Sequence, residues 1–328
     1  MKGRNVLTDN RGFALILTVL MVSLMVVLTL HFSRSVRSAL FASANLKDGV
    51  RTGYMARSGF NCGLALLSED AAFSESDSLL EPWADSKRLS AYSDTLFENG
   101  RFELEIVDLT GKIQINKLVD SDGNFDEPQK GLLERFLRLD RFGLDADARR
   151  NLIDAIKDWI DPDHEPTRFG AEKGYYQSLD PPYGCKNGPM EALGELLAIK
   201  GMSPDLFYGT PEDPGISNYL TVRGEGRINV NTADPLILKA LAEEMDASLV
   251  EEMIQYRRDE DNDLHDPEWY KKVPGMGHVA IEPSLITSTS RYFEIRSTGI
   301  SGSLKKRVWG TVRREDPKRI DILGWKIE

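Results

Sequence analysis

Five carboxylates lie close together near the middle of the chain. They end one helical segment and continue through a proline-containing loop: Asp158, Asp161, Asp163, Glu165 and Glu172. Calcium takes about six to eight oxygen ligands and tolerates irregular loops, so this spacing is typical of a calcium site. The same spacing is also typical of a helix end with solvated carboxylates. The residues alone leave both interpretations open.

Two further acidic runs are weaker candidates for a metal site. One places acidic and amide side chains at alternate positions and begins like an EF-hand loop: Asp120, Asp122, Asn124 and Asp126. Its glycine, Gly123, stands fourth where an EF-hand needs it sixth, and Gly131 stands where the final Glu belongs. We therefore predict a tight Asp/Gly turn there. The run at 259–263 reads as a solvated acidic loop.

The sequence carries no pattern that points to catalysis. The four histidines lack HExxH spacing, and no GxSxG, Walker loop or CxxC is present. The chain is therefore expected not to be an enzyme. Cys62 and Cys185 are too few for a disulfide framework, and whether they pair stays open. A net charge of −11 argues against a nucleic-acid-binding surface, because phosphate contacts need clustered Lys and Arg.

The N-terminus reads as a basic leader followed by a membrane helix. Residues 1–12 carry three basic residues against one acidic residue, and residues 13–32 contain no Asp, Glu, Lys or Arg. At about 1.5 Å per residue this stretch spans a bilayer core of about 30 Å, with its basic flank in the cytoplasm. A secretory signal and a plain signal anchor are the alternatives that hydrophobicity alone leaves open.

The remaining pattern predicts an α+β protein. Residues 33–69 continue as a helical stem, with a kink at one of four glycines as an alternative, and residues 70–95 read as a loop. Alternating residues from 101 to 118 predict a hairpin turning at Thr110-Gly111, with one wet face. Helical segments fill residues 130–257 before strand patterns return, which indicates a helical insert in an α+β domain.

Gly12-Phe13, placed between the basic leader and the apolar run, resembles the leader of type IV pilins and of the pseudopilins of type II secretion. The resemblance implies that the prepilin peptidase cleaves after Gly12 and that Phe13 becomes the methylated N-terminus. Most members have Glu at the fifth mature position, where this chain has Leu17. An intramembrane carboxylate is costly unless it is paired, so the Glu of other members implies a partner on the neighbouring subunit. A subunit with no neighbour above it therefore needs no Glu at this position.

Further stretches resemble the protein K family of minor pseudopilins, namely DAIKDWIDPDHEPTRFGAEKGYY, PPYGCKNGPMEALGELLAIKGM and RINVNTADPLILKAL. The resemblance implies a pilin-like body whose helical insert has two repeats similar to sterile-alpha-motif or helix-hairpin-helix modules. It also implies bound calcium without identifying the ligands, and among the carboxylates of the acidic loop we select Asp161, Asp163 and Glu172 as the expected ligands. The implied segments are a leader at 1–12, a transmembrane helix at 13–32, a stem at 33–69, body parts at 70–118 and 288–328, and an insert at 119–287 with repeats at about 119–220 and 226–287.

The same resemblance implies a location and a set of partners. The chain would cross the inner membrane once, with its N-terminus in the cytoplasm and its bulk in the periplasm. Its place would be the pseudopilus tip, where it is needed for assembly and for export of folded proteins across the outer membrane. Its partners would be the other minor pseudopilins, the major pseudopilin, the prepilin peptidase and the inner-membrane secretion platform.

The main alternative is a membrane-anchored DNA-binding or DNA-uptake protein. Residues 228–277 resemble a helix-hairpin-helix module, in which Gly275-Met276-Gly277 would offer backbone N–H groups to a phosphate. This stretch has five Lys or Arg against twelve Asp or Glu, a net charge of −7 that repels a polyanion. We therefore expect no nucleic-acid partner. A basic group near the end marks either edge protection or a partner-facing patch: Lys305, Lys306, Arg307, Arg313 and Arg314.

Overall fold

A single helix of 63 residues begins the structure. The computed structural model describes residues 11–210, 212–316 and 319–328, and helix α1 (Arg11–Phe73) runs without a break through the predicted membrane and stem segments. Two of its glycines, Gly59 and Gly63, lie where the helix packs closely against the sheet. A Cβ on Gly59 would lie 2.8 Å from the Phe102 ring, and one on Gly63 would lie 2.9 Å from Ile295. The glycines therefore let the helix backbone approach the sheet.

A four-stranded antiparallel sheet packs against α1. Its strands lie in the order β1-β6-β7-β8, and their bounds are β1 (Arg101–Asp108), β6 (Tyr292–Ser301), β7 (Leu304–Asp316) and β8 (Arg319–Ile327). Alternate residues of β1 are buried, which confirms the predicted wet face. Buried side chains from α1, β1, β6 and β7 form one apolar cluster, the body core, whose members include Phe60, Leu67, Phe102, Ile295 and Val308.

The predicted hairpin at Thr110-Gly111 is wrong. Strand β1 pairs with β6, so that Glu105 lies opposite Arg296. The next strand, β2 (Ile113–Gln114), pairs in parallel with β3 (Leu220–Thr221) inside the insert. Alternation identifies a strand and its buried face, but the partner is chosen by long-range packing, which local sequence does not contain.

The predicted loop at 70–95 is also wrong in part, because it contains helix α2 (Ser86–Ser93). Two serines of α2 form hydrogen bonds with main-chain groups on the outer edge of β1. Ser93 Oγ accepts from Phe102 N at 3.1 Å and donates to Phe102 O at 2.7 Å, and Ser90 Oγ accepts from Leu104 N at 3.0 Å. These contacts to β1, together with the packing of Leu89 on the body core, hold the helix in place, and one apolar side chain leaves no periodic pattern in the sequence.

The insert is a block of short helices between β1 and β6. Its helices are α3 (Glu127–Leu137), α4 (Ala146–Ile160), α5 (Lys173–Gln177), α6 (Pro204–Tyr208), α7 (Pro235–Ala240) and α8 (Ala247–Arg258). A second parallel pair joins β4 (Ile228–Asn229) and β5 (Ile286–Thr287). The insert has its own buried cluster, separate from the body core. This confirms the predicted α+β class, while the division of the insert into two repeats stays a prediction.

A buried polar network joins the insert to the body. Asp108 Oδ2, at the end of β1, accepts from Ser290 Oγ at 2.5 Å and from Thr232 Oγ1 at 2.6 Å. Asn229 Nδ2 donates to Ser290 Oγ at 2.7 Å. Asn231 accepts from the indole N–H of Trp269 at 2.7 Å. The Asn-Val-Asn-Thr-Ala stretch is therefore explained by the satisfaction of buried polar groups at this junction.

Candidate functional site

The first part of α1 is an exposed apolar surface. Among the described residues, the helix from Gly12 to Phe73 is the one long and apolar enough to cross a membrane, and a signal sequence would meet the same criteria. Leu17 lies on this surface with 44% of its area exposed. Residues 1–10 of the predicted leader lie outside the described residues. Cleavage between Gly12 and Phe13 stays a prediction.

The acidic loop after α4 brings three carboxylates together. Asp161 ends α4, Asp163 lies in the loop, and Glu172 precedes α5 and accepts from Lys173 N at 3.2 Å. One oxygen from each of the three lies within 4.8 Å of the others. The structure thus places next to one another the three residues that the sequence analysis selected. We call this group the acidic cluster.

The acidic cluster has buried negative charge that the protein does not fully compensate. Lys157 Nζ lies 2.5 Å from Asp161 Oδ2, while Asp161 Oδ1 and Asp158 Oδ2 are buried with no hydrogen-bond partner among the described residues. Burial raises the pKa of Asp161 and that of Glu172. Unpartnered buried carboxylate oxygens are costly, and a bound cation would satisfy them. The chemistry of the donors therefore fits a hard divalent ion such as calcium.

Asn187 belongs to the same site, although the sequence analysis did not select it. Its backbone has a positive φ of 48°, and its Nδ2 lies 3.2 Å from Glu172 Oε2 and also contacts the Asp163 carbonyl oxygen. The nitrogen and oxygen of an amide are assigned from the hydrogen-bond network, so a turned amide would present oxygen to a cation. The sequence signal was present, because Asn187 is the asparagine of the PPYGCKNGP stretch.

Other residues of the two candidate loops have structural roles. Glu165 is exposed, and its N–H donates to Asp163 Oδ1 at 2.7 Å. Asp158 accepts from Thr167 N at 2.9 Å, which helps to fix the loop. Asp120 Oδ1 accepts from the N–H groups of Asp122 and Asn124 at 2.9 Å each, which confirms the predicted tight turn.

A second group of carboxylates, Asp70, Asp77 and Glu81, lies between α1 and the sheet. Here the protein supplies its own cation, because Arg314 Nη1 lies 2.9 Å from Asp70 Oδ2 and its Nη2 pairs with Asp77. Burial and the neighbouring Asp70 raise the pKa of Glu81 to about 7. This group is an internal ion-pair network. Sequence reasoning missed it because Arg314 lies more than 200 residues after the three carboxylates.

The two cysteines are free thiols in different parts of the fold. Cys62 packs against the body core, whereas Cys185 packs against the core of the insert and its Sγ donates to Asp158 O at 3.4 Å. Burial raises the pKa of Cys62 and raises that of Cys185 to about 12. Both thiols are thus poor nucleophiles, because the thiolate is the reactive form.

The Gly275-Met276-Gly277 turn does not form a phosphate site. Gly275 has a φ of 81° and leads into a 3-10 helix of only three residues, Met276–His278, with Met276 fully buried. A helix this short has little dipole to attract an anion. Lys271, in the adjacent turn, is paired with Glu268 at 2.8 Å. The turn therefore packs the insert.

Comparison with known proteins identifies the family. The family model for protein K of the type II secretion system matches residues 111–208. The type II secretion system protein K of Pseudomonas aeruginosa is 24% identical over 323 residues, which are 96% of this chain and 92% of that protein. The chain belongs to the type II secretion system protein K family. Another relative, protein K of Klebsiella pneumoniae, is 25% identical over 230 residues, 69% of this chain and 67% of that protein.

The fold agrees with that of a solved structure. The GspK-GspI-GspJ complex from the type 2 secretion system of enterotoxigenic Escherichia coli contains a chain that matches with a TM-score of 0.69 at 17% identity, over 88% of this chain and 99% of that chain. Membership of the protein K family and the apolar helix together indicate membrane anchoring. Neither the structure nor these comparisons support the DNA-binding alternative.

Proposed function

We propose that this chain, as a minor pseudopilin of the type II secretion system, stands at the tip of the pseudopilus. There it would be needed for assembly and for the export of folded proteins from the periplasm across the outer membrane. It would act as a structural component, and we assign it no reaction. The observation that carries the proposal is the combination of an apolar Leu17 with an insert at the far end of the body.

Leu17 is consistent with a subunit that has no neighbour above it. An ionised carboxylate at the centre of a bilayer costs about 2.5–3.5 kcal/mol unless a partner compensates it. Residues 13–32 contain no carboxylate, so this helix does not need an amine from a neighbouring subunit to pair with it. It can enter the membrane and begin a filament without an earlier subunit.

The insert leaves the body at the end that is farther from the apolar segment. Asp108 and Ser290, which border the insert, lie beside Asp77 and Arg314, and Arg314 pairs with Asp70 near the end of α1. The β6–β7 turn is at the opposite end of the sheet, since Lys306 lies within 4.0 Å of the Cβ position of Gly49. The insert thus occupies the space into which a further subunit would add above this one.

Processing and location follow from the same proposal. The prepilin peptidase would cut after Gly12 and methylate Phe13, leaving a single-pass inner-membrane protein with its bulk in the periplasm. Its contacts would be the other minor pseudopilins, the major pseudopilin and the inner-membrane platform. The Escherichia coli complex, in which GspI and GspJ accompany GspK, supports contacts with other minor pseudopilins.

An electron-microscopy experiment tests the tip position. An epitope placed in the exposed 259–263 loop should be labelled once, at one end, on pseudopili from cells that overproduce the major pseudopilin. Deletion of the chain should stop secretion. Label distributed along the filament would refute the tip position, and normal secretion without the chain would refute the role in export.

We also propose that the acidic cluster binds calcium through Asp161, Asp163 and Glu172, with Asn187 as a further ligand. The support is Asp161 Oδ1, a buried carboxylate oxygen of the cluster without a partner among the described residues, together with Asp158 Oδ2 in the same state and Lys157, the one lysine paired with Asp161. Calcium bound there would tie the loop to the start of α5 and so stabilise the insert. A ligand at about 100 times its Kd stabilises a fold by about 2.7 kcal/mol.

Melting of the full chain in detergent tests the calcium site. Excess calcium should raise the melting temperature by several degrees over chelator, and Asp163→Asn should abolish most of that rise. Asp263→Asn, in the exposed acidic loop, is the matched control and should behave like the wild type. A melting temperature indifferent to chelator would refute the site.

A further inference from the structure

One edge of the four-stranded sheet is covered by a helix, and the other edge is open among the described residues. The β1 edge is closed by α2, whose Ser90 and Ser93 hydroxyls bond the main chain of Phe102 and Leu104. The β8 edge has no such cover among the described residues. Strand β8 is the outermost strand on this side of the sheet and has little contact with α1. Open edges are templates for pairing with another chain.

We propose that the β8 edge is a docking site for an extended acidic segment of a partner chain, which adds to the sheet as a fifth strand. This inference goes beyond the tip position and does not depend on it. It rests on three features of the β8 edge, namely its free main-chain groups, its exposed apolar side chains and the cations around it.

The register shows which main-chain groups are free. Arg307 and Glu328 exchange both main-chain hydrogen bonds, each at 2.9 Å. Bonded and non-bonded pairs alternate along an antiparallel ladder, so Trp325 and Ile327, opposite Gly310 and Val308, direct their N–H and C=O groups away from β7. An incoming strand would find these donors and acceptors ready to pair.

The side chains at this edge are apolar and exposed. Ile322, Trp325 and Ile327 are 49%, 54% and 41% exposed. Trp325 and Ile327 lie on the face of the sheet that α1 covers, because Val308 opposite Ile327 is part of the body core and Arg57 of α1 stacks 5.6 Å from the Trp325 ring. A contiguous exposed apolar surface marks an interaction site, and the side chains of an added strand would cover it.

The positive charge around the β8 edge indicates the charge of the partner segment. Four cations lie beside or just beyond the end of β8 and have no carboxylate within 4.0 Å among the residues described: Arg57, Lys305, Lys306 and Arg307. On a chain of net charge −11 this concentration is an exception. Complementary potentials steer association and reject wrong partners, so the incoming segment is acidic.

A peptide-binding experiment on the full chain in detergent tests the proposal. The probe is a fluorescein-labelled peptide as long as β8, with Glu and Val alternating, and binding is followed by anisotropy. Ile327→Pro removes an outward N–H without cutting a β7–β8 bond, so it should weaken binding about tenfold, the value of one main-chain hydrogen bond. Ile327→Ala keeps the N–H and should weaken binding less.

Two controls complete the test. A Lys/Val peptide should not bind, and the Glu/Val peptide with alternate main-chain nitrogens methylated should lose binding even if Ile327→Pro fails to fold. Amide hydrogen exchange of Trp325 and Ile327 should slow when the Glu/Val peptide is bound. Equal binding of the methylated peptide, or unchanged exchange at both amides, would overturn strand addition. Equal binding of the Lys/Val peptide would overturn the acidic specificity.

Discussion

Lys157 and Asp161 form a buried ion pair in which one carboxylate oxygen is used and the other is not. Lys157 Nζ lies 2.5 Å from Asp161 Oδ2, and Asp161 Oδ1 has no partner among the described residues. Lys157 is one turn before Asp161 on α4, so the helix places the ammonium beside the acidic cluster. In the absence of a metal ion, this lysine is the cation that partly compensates the cluster.

Lys157→Met should therefore strengthen calcium binding and lower the stability of the metal-free protein. A unit charge about 4 Å away is worth about 4 kcal/mol at an effective dielectric constant of 20, so we expect calcium affinity to rise at least tenfold. Calorimetry of calcium binding and melting in chelator measure the two effects. Lys271→Met, which breaks an exposed pair with Glu268, is the control. Unchanged affinity in Lys157→Met would contradict the site.

Removing Arg314 should destabilise the body strongly. Its guanidinium pairs with Asp70 and Asp77, which are both largely buried, and it lies 4.9 Å from the Phe293 ring. Arg314→Met leaves two carboxylates uncompensated, and breaking a buried pair in this way costs about 3–5 kcal/mol. Urea unfolding of the full chain measures the loss. Arg319→Met, which breaks a pair at the exposed start of β8, should cost far less, and equal losses would refute the assigned role.

Gly59→Ala should disturb the packing of α1 on the sheet. The added Cβ would lie 2.8 Å from the Phe102 ring, and overpacking of this kind costs about 1–3 kcal/mol. The matched control is Gly49→Ala, whose Cβ would meet only Lys306 at 4.0 Å. That change should be neutral or stabilise by up to about 1 kcal/mol, because Ala favours helix over Gly. The same unfolding assay distinguishes the two, and similar effects would argue against close helix–sheet contact.

Glu81 should make stability depend on pH. Its pKa is raised from 4.5 to about 7 in the folded protein, first by burial and then by Asp70. The folded state thus favours the protonated form, so this contribution to stability is complete below about pH 4.5 and is lost as the pH rises through about 7. Glu81→Gln resembles the protonated form, and it should gain melting temperature over wild type at pH 8 but not at pH 5. A constant difference, or a similar trend in exposed Glu69→Gln, would contradict this.

Gly12→Ala should leave the leader attached and stop secretion. The peptidase proposed for this family cuts after glycine, so the variant should keep Met1 or its neighbours, whereas wild type should begin at methylated Phe13. Mass spectrometry of the protein purified from membranes measures both. A wild-type mass in the variant together with normal secretion would overturn the leader assignment, and Met1 on the wild type would favour a plain anchor.

Much of the fold was accessible from local patterns, and the errors have a common cause. Helix α1, the buried face of β1 and strands β6 and β7 follow from periodicity. The partner of β1 did not follow, because β6 lies almost 200 residues later. Helix α2 has serines in place of an apolar stripe, so its contact with the β1 edge left no periodic signal.

The sequence by itself determined that the chain has a membrane helix without a carboxylate, an acidic loop and a helical insert, because composition and spacing are local properties. Only the tertiary structure decided which carboxylates meet. It brought Asp161, Asp163 and Glu172 together, with Asp161 Oδ1 left without a partner among the described residues, and it gave Asp70 and Asp77 their own cation, Arg314. The two acidic groups look alike in sequence, and what separates them is a guanidinium supplied from a distant strand.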